Sequence, residues 1–275
     1  MVEDFKTTIV IPARINSKRL PNKILEKIGG EPMIKRVLEQ CNKEFNKEQI
    51  IVCTDSNKVV KVSESCGYKT FITSNKCTSG TDRITSILPK VISYTWNNQE
   101  INDFNYSKLL EKTLIINVQS DQPFLDPKIL LEIKNNFQKN KHEKIVITPI
   151  YPLASSDIEN PNIVKVVINH RNQAIYFSRA PIPFNRDQEI KSWGNFINYW
   201  GHIGVYGYRA DVLYQWHSLP DSKLEKIESL EQLKLVEAGI KINTIHTKND
   251  FFSIDTFEQL EKAREIWNNI IGRRS

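Results

Sequence analysis

Four cationic side chains, Arg14, Lys18, Arg19 and Lys23, stand in a polar stretch directly behind the apolar, β-branched run Ile9-Val10-Ile11-Pro12-Ala13. In an open α/β sheet, the loop leaving the carboxyl end of a first strand is where ligands sit. Positive charge concentrated there suits a polyanion, and a nucleoside triphosphate is the obvious candidate. The competing reading is a basic surface loop behind an ordinary strand. Pro12 and Pro21 fix φ at both ends of the loop, so less entropy is lost when it closes on phosphates.

Other positions carry chemistry at a distance in sequence. In Ser79-Gly80-Thr81-Asp82-Arg83, Gly80 permits close backbone approach, and the N–H groups of a helix start suit an anion. Arg83 offers a bidentate fork to a carboxylate or phosphate; a capped helix with a surface arginine fits the same residues. Asp121 follows the apolar run Leu114-Ile115-Ile116-Asn117-Val118 and Gln119. A carboxylate at that end of a central strand can hold Mg²⁺ beside a triphosphate, because hard oxygen ligands suit that ion. Asp255 would be its distant partner, with helix capping as the competing role. His202, Gly204, Tyr206 and Tyr208 alternate along a strand and share one face. That face either reads sugar hydroxyls or is satisfied by buried hydrogen bonds. Glu231-Gln232 lies in a helix whose Leu224, Leu230, Leu233 and Leu235 are core-like, where an exposed acid is ordinarily just solvated.

These residues need elements to place them. Apolar, β-branched patterns predict strands near 7–12, 50–54, 69–72, 113–118, 144–150, 163–168, 174–178, 202–208 and 240–246. Helical patterns fall near 31–44, 57–66, 81–94, 127–138, 224–238 and 256–270. Pro32, Ser56 and Asp126-Pro127 mark helix starts, while Gly67 and Gly239 mark ends. Alternation through residue 150 predicts an α/β fold with a mostly parallel sheet flanked by helices. From 151 to 210 the pattern breaks into an antiparallel hairpin turning at His170-Arg171-Asn172, an insertion expected to cover a site or build a subunit interface. Residues 96–112 read as an irregular surface excursion.

Composition narrows the classes. The 275 residues suffice for one domain, and no run approaches the ~20 apolar residues that span a bilayer. The short apolar run near the N-terminus is wrongly flanked for a signal peptide, so a cytoplasmic protein without a membrane partner is expected. Net charge is +6, yet the lysines are mixed with acids along the chain, which argues against nucleic acid. Cys41, Cys53, Cys66 and Cys77 lack metal-knuckle spacing and read as small buried hydrophobes. No GxSxG, HExxH or P-loop pattern occurs.

Taken together, the chain resembles the CMP-Kdo synthetase (3-deoxy-manno-octulosonate cytidylyltransferase) family. The resemblance rests on Ile11-Pro12-Ala13-Arg14 with Ser17, Arg19-Leu20-Pro21 and Lys23; Thr54-Asp55; Ser79 through Arg83; and Asn117-Val118-Gln119 with Asp121 and Pro123. It continues through Asn160-Pro161-Asn162, Val164-Lys165-Val166-Val167, Tyr176 through Pro183, His202 through Arg209, Leu230-Glu231-Gln232-Leu233 and Asp255-Thr256. The resemblance implies a Rossmann-like, nucleotide-diphospho-sugar transferase-like domain over 1–275, with the 151–210 insertion serving dimerisation and sugar binding. It implies transfer of CMP from CTP to the anomeric 2-hydroxyl of a 3-deoxy-octulosonic acid, with Mg²⁺ as cofactor and a homodimer as the assembly. Pro12, Ala13, Arg14, Ser17, Arg19, Lys23, Ser79 and Gly80 would bind the nucleotide. Arg83, Gln119, Arg179, His202, Tyr206, Glu231 and Gln232 would line the sugar-acid pocket. Asp121 and Asp255 would hold the metal, and with Arg14 and Lys23 they would carry catalysis.

The chain departs from the family pattern at two places. Gln119-Ser120-Asp121-Gln122-Pro123 stands where Gln-Gly-Asp-Glu-Pro is usual, and Ser253-Ile254 replaces Gly-Val before Asp255. Altered acceptor choice is one consequence to weigh: a Kdo variant such as 8-amino-Kdo, or a nonulosonic acid. A non-catalytic paralogue that binds nucleotide or sugar acid is the alternative of a different class.

Overall fold

The computed structural model describes residues 5–17, 19–97, 102–140, 143–248 and 252–272; Lys18 of the basic loop lies outside them. Twelve strands appear among these residues: β1 (Lys6–Ala13), β2 (Lys27–Ile28), β3 (Glu31–Pro32), β4 (Ile50–Thr54), β5 (Lys69–Ile72), β6 (Thr113–Val118), β7 (Val146–Pro152), β8 (Lys165–Ile168), β9 (Ala174–Ser178), β10 (Trp200–His202), β11 (Val205–Arg209) and β12 (Ile242–His246). The helices are α1 (Met33–Cys41), α2 (Asn57–Ser65), α3 (Gly80–Thr85), α4 (Leu88–Thr95), α5 (Asp103–Glu111), α6 (Lys128–Lys139), α7 (Ala210–Tyr214), α8 (Lys223–Glu228), α9 (Leu233–Glu237) and α10 (Phe257–Gly272).

The main sheet runs β5-β4-β1-β6-β11-β7-β10-β8-β9, with β12 also paired to β7. The β5, β4, β1 and β6 strands are parallel; the apolar residues of β4, β1 and β6 are covered on both faces, as crossover helices require, while Ile72 of the edge strand β5 is exposed. Ile9, Ile11 and Ala13 of β1 pack towards α1, α2 and α6 in one core cluster. Val10 packs on the other side with residues of α3, α4, α5 and α7. A third, smaller core joins Leu20, Ile28 and Met33 to Ile254 and to Leu260 and Ala263 of α10.

Beyond β6 the sheet turns antiparallel. The β11 strand inserts between β6 and β7, and β8 and β9 form the expected hairpin, turning at Asn172 with φ 55°. A bridge between Gln173 and Asn243 then links this hairpin back to β12. The β7, β10, β8, β9 and β12 strands therefore close into a small ring.

Several elements differ from the sequence expectation. The helix expected over 81–94 is two helices, because the Pro89 ring cannot follow a preceding helical turn and instead opens α4. The helix expected over 224–238 breaks at Ser229, which takes a left-handed conformation with φ 53°. The strand expected over 202–208 splits at Ile203-Gly204. The region 96–112 contains α5, capped by Asn102, rather than an irregular excursion throughout. Pro32 precedes α1 and pairs within the β2–β3 hairpin. Of the cysteines, Cys41 and Cys53 are buried as expected, whereas Cys66 and Cys77 are only half-buried.

Candidate active site

The carboxyl ends of β1, β4 and β6 deliver the loops of the candidate site to one edge of the sheet. Behind β6, the chain passes from Gln119 to Asp121; behind β1, a short 3-10 turn (Lys23–Leu25) presents Lys23. Lys23 Nζ donates to Asp121 Oδ2 and to Asp255 Oδ1, each at 2.8 Å. Arg19 adds a contact of 2.9 Å to the other oxygen of Asp255. Burial works against the Lys23 ammonium, yet the two carboxylates outweigh it and hold its pKa above the ordinary lysine value. The Asp255 carboxyl is likewise desolvated, but Lys23 and Arg19 hold it below the usual carboxylate range.

Helix capping does not employ Asp255. Thr256 Oγ1 accepts from the Gln259 amide at 3.3 Å, while Gln259 Oε1 accepts from the amides of Asp255 and Thr256. This reciprocal arrangement satisfies the start of α10 and leaves the Asp255 carboxylate for Lys23. Arg14 is exposed and its guanidinium has no partner among the described residues; Ser17 is half-buried beside it in the loop.

A second cluster forms where α3 starts. The Ser79 hydroxyl accepts from the Asp82 amide and caps the helix. A Cβ on Gly80 would stand 3.1 Å from both amide atoms of Gln119 and 3.1 Å from Pro12 Cγ, so a larger residue would need these side chains to give by a few tenths of an ångström where α3 approaches the β1 and β6 ends. Gln119 Nε2 donates to Asn117 Oδ1 at 3.0 Å. Glu231 reaches the same helix start, accepting from the Thr81 amide at 3.3 Å with the Ser79 hydroxyl nearby. Desolvation raises the Glu231 pKa despite those donors.

His202 meets Tyr206 and Tyr208 through sheet order rather than by alternation along one strand: His202 ends β10, the tyrosines lie on β11, and β7 runs between the two strands. Ring centroids lie 5.2 Å apart for His202 and Tyr206 and 5.6 Å apart for Tyr206 and Tyr208. Burial pushes the His202 imidazole down to about 3, so the ring is neutral. The Thr148 hydroxyl lies 3.0 Å from His202 Nε2 and 2.9 Å from the Val205 carbonyl. A carbonyl can only accept, so the hydroxyl proton goes to Val205 and Nε2–H donates to the hydroxyl, leaving Nδ1 as an acceptor. Tyr206 Oη and Gln232 Nε2 are buried without a partner among the described residues. Unpaired buried polar atoms are costly, and their gathering beside His202 and Glu231 marks a surface shaped for polar contacts.

Two arginines differ from expectation. The Arg83 guanidinium is 2% exposed and committed to Asp55 at 3.0 Å, to the Thr73 hydroxyl and to the Ser74 carbonyl, rather than open to a ligand. The reason is strand order: β4 lies beside β1, so Asp55 arrives next to α3. Asp55 also accepts from the Ile15 amide at 3.1 Å, which ties Arg83 to the loop behind β1. Arg179 donates from Nε to the Glu228 carbonyl and from an Nη to the Pro161 carbonyl, so its guanidinium ties the end of α8 to the loop before β8.

Sequence reasoning assigned no role to Asp55, Thr148 or Lys165. Lys165 is fully buried and donates to the carbonyls of Asn160, Ile163 and Arg179; desolvation, helped by the nearby Arg179 charge, lowers its pKa to about 8. An isolated lysine inside an apolar strand was the available signal.

Comparison with known proteins gives the family. Residues 8–242 match the family model described as cytidylyltransferase. A 3-deoxy-manno-octulosonate cytidylyltransferase of Thermodesulfovibrio yellowstonii is 38% identical over 262 residues, covering 95% of this chain and 98% of its own. One from Francisella tularensis subsp. holarctica is 38% identical, with 94% and 98% covered. The solved structure of a CMP:2-keto-3-deoxy-manno-octonic acid synthetase complexed with CTP superposes with a TM-score of 0.82 at 34% identity, covering 96% of this chain and 99% of that one. Identity at this level over nearly the whole length leaves one assignment: the chain belongs to the 3-deoxy-manno-octulosonate cytidylyltransferase family.

Proposed function

We propose that the protein transfers CMP from CTP to the anomeric 2-hydroxyl of Kdo, yielding CMP-Kdo and pyrophosphate for lipopolysaccharide or capsule synthesis. The observation that carries this reading is the Lys23 ammonium held between Asp121 and Asp255 at the mouth of the loop behind β1. Both reactants are anions, so their repulsion must be neutralised before the hydroxyl can attack the α-phosphate in line. Arg14, Lys23 and Arg19 supply that neutralisation. Pro12, Ala13, Ser17, Ser79 and Gly80 shape the nucleotide side. Gln119, His202, Tyr206, Glu231 and Gln232 face the sugar acid. Arg83 acts on the loop through Asp55, and Arg179 supports the ring wall of the pocket.

The donor set fits Mg²⁺: two hard carboxylates already share a cation between them, and phosphates and water would complete the shell. Bound between Asp121 and Asp255, the ion would offset triphosphate charge as it develops on the leaving pyrophosphate. The chain itself orients the reactants and keeps His202 neutral, so that its Nδ1 accepts rather than repels a donor.

The direct test is pyrophosphate release from CTP, Mg²⁺ and Kdo, with 8-amino-Kdo and sialic acid as parallel acceptors. Release with Kdo supports the proposal. Release only with another acceptor keeps the chemistry and moves attention to Ser120 and Gln122, and silence with all three favours the binding-only paralogue. Asp121→Asn should lower kcat/KM by roughly 10²–10³-fold, the scale of losing one preorganised electrostatic group.

A further inference from the structure

Three of the four carboxylate oxygens of Asp121 and Asp255 already carry a basic nitrogen: two hold Lys23 and one holds Arg19. The Lys23 side chain is only 12% exposed, so this is an enclosed contact rather than a solvated surface pair. We propose that Lys23 is a built-in stand-in for the divalent cation, one that makes metal binding conditional on nucleotide. This rests on the metal role proposed above for the two aspartates.

The argument is one of mutual exclusion. An ammonium 2.8 Å from an oxygen of each carboxylate occupies the place where those oxygens could share another cation. For a metal to take both, Lys23 must swing away, and an isolated buried ammonium is costly to leave unpaired. A triphosphate supplies the missing partner, because its oxygens accept the Lys23 and Arg19 donors as they leave the aspartates. Every charged group keeps an opposite partner at each stage: two basic groups face two acids before the exchange, and afterwards the basic groups face phosphate while the acids face metal. By linkage, whatever factor nucleotide adds to metal affinity, metal adds to nucleotide affinity. The arrangement also keeps the aspartates from capturing stray cations when no nucleotide is present.

The test is a Mn²⁺ titration followed by the paramagnetic resonance of free Mn²⁺, on the full chain without nucleotide. Wild type should bind weakly, whereas Lys23→Met and Lys23→Gln should each gain one site at least about tenfold tighter, within the usual range of coupling factors. Asp121→Asn added to Lys23→Met should abolish that site. Thermal melts give an independent reading in which folding is visible: Mn²⁺ should raise the melting temperature of the Lys23 variants more than that of wild type. A third arm adds CTP to wild type, with protein-free CTP as the control. If wild type binds Mn²⁺ as tightly as the Lys23 variants without CTP, the exclusion is overturned while the metal role stands. If no protein binds Mn²⁺ beyond the CTP control in any arm, the metal role itself falls, and this proposal with it.

Discussion

Glu231 shows what the site demands of single side chains. Its carboxyl is desolvated beside Ser79 and Thr81, and its pKa lies above the ordinary value. The folded state therefore favours its protonated form. Its contribution to stability is fully present below the unfolded pKa and is lost as pH rises through the raised one. At neutral pH the charged form is a burden, which Glu231→Gln would remove while keeping an acceptor for the Thr81 amide. The variant should melt about 2 °C or more above wild type at pH 8, with the gap closing at pH 4, and should lose activity with Kdo. A variant that melts lower at pH 8 would show that the carboxylate is net stabilising. At this scale the sequence was informative about residue types but not about orientation. Arg83 read as an open fork, and it is an internal strut, because its partner Asp55 sits 28 positions away, just past a strand whose neighbour in the sheet no local pattern reveals.

Among elements, the β2–β3 hairpin packs against α10 close behind Asp255. Gly29 has φ 58°, and a Cβ there would come within 1.9 Å of Trp267 Nε1. Trp267 in turn packs on Phe124 and lies under the Arg36 guanidinium, whose centre is 3.9 Å from the ring centroid. Arg264 reaches back to the Lys27 carbonyl and to Glu26. Gly29→Ala should therefore cost roughly 2 kcal/mol in a denaturant titration, from strain at positive φ plus overpacking. It should also raise KM for CTP, since α10 begins directly behind Asp255. An unchanged melting profile would show that Trp267 yields freely. Strand and helix periods made most of these elements readable from sequence. Their interruptions were not, because the amphipathic pattern runs on through Pro89 and Ser229 while the backbone stops.

For the whole molecule, the site lies where a parallel half meets the antiparallel ring, so neither half alone completes it. Across 151–210 the sheet changes direction, yet β10 and β8 continue the same sheet. That continuity was invisible in sequence because β11 inserts between β6 and β7, against chain order. Phe184, Phe196 and Ile197 stand exposed in the 151–210 region, an apolar display that suits the homodimer implied by resemblance. Light scattering should give twice the chain mass of 31.9 kDa, and Phe196→Asp should shift it towards the monomer. A wild-type monomer at micromolar concentration would overturn the dimer expected from the resemblance. Among the described residues no helix is long and apolar enough to cross a membrane.

The contact between Lys23 and Asp255 joins positions 232 residues apart. During synthesis the chain emerges from its N-terminus, so the parallel strands, the ring and the pocket tyrosines can all be in place before the second acid leaves the ribosome. A chain halted before Asp255 would then leave Lys23 with one carboxylate instead of two and the small core of Leu20, Ile28 and Met33 uncovered. Such a fragment could look nearly finished and still lack the acid on which the proposed chemistry depends. Premature termination would give inert protein rather than a partly working enzyme that spends CTP.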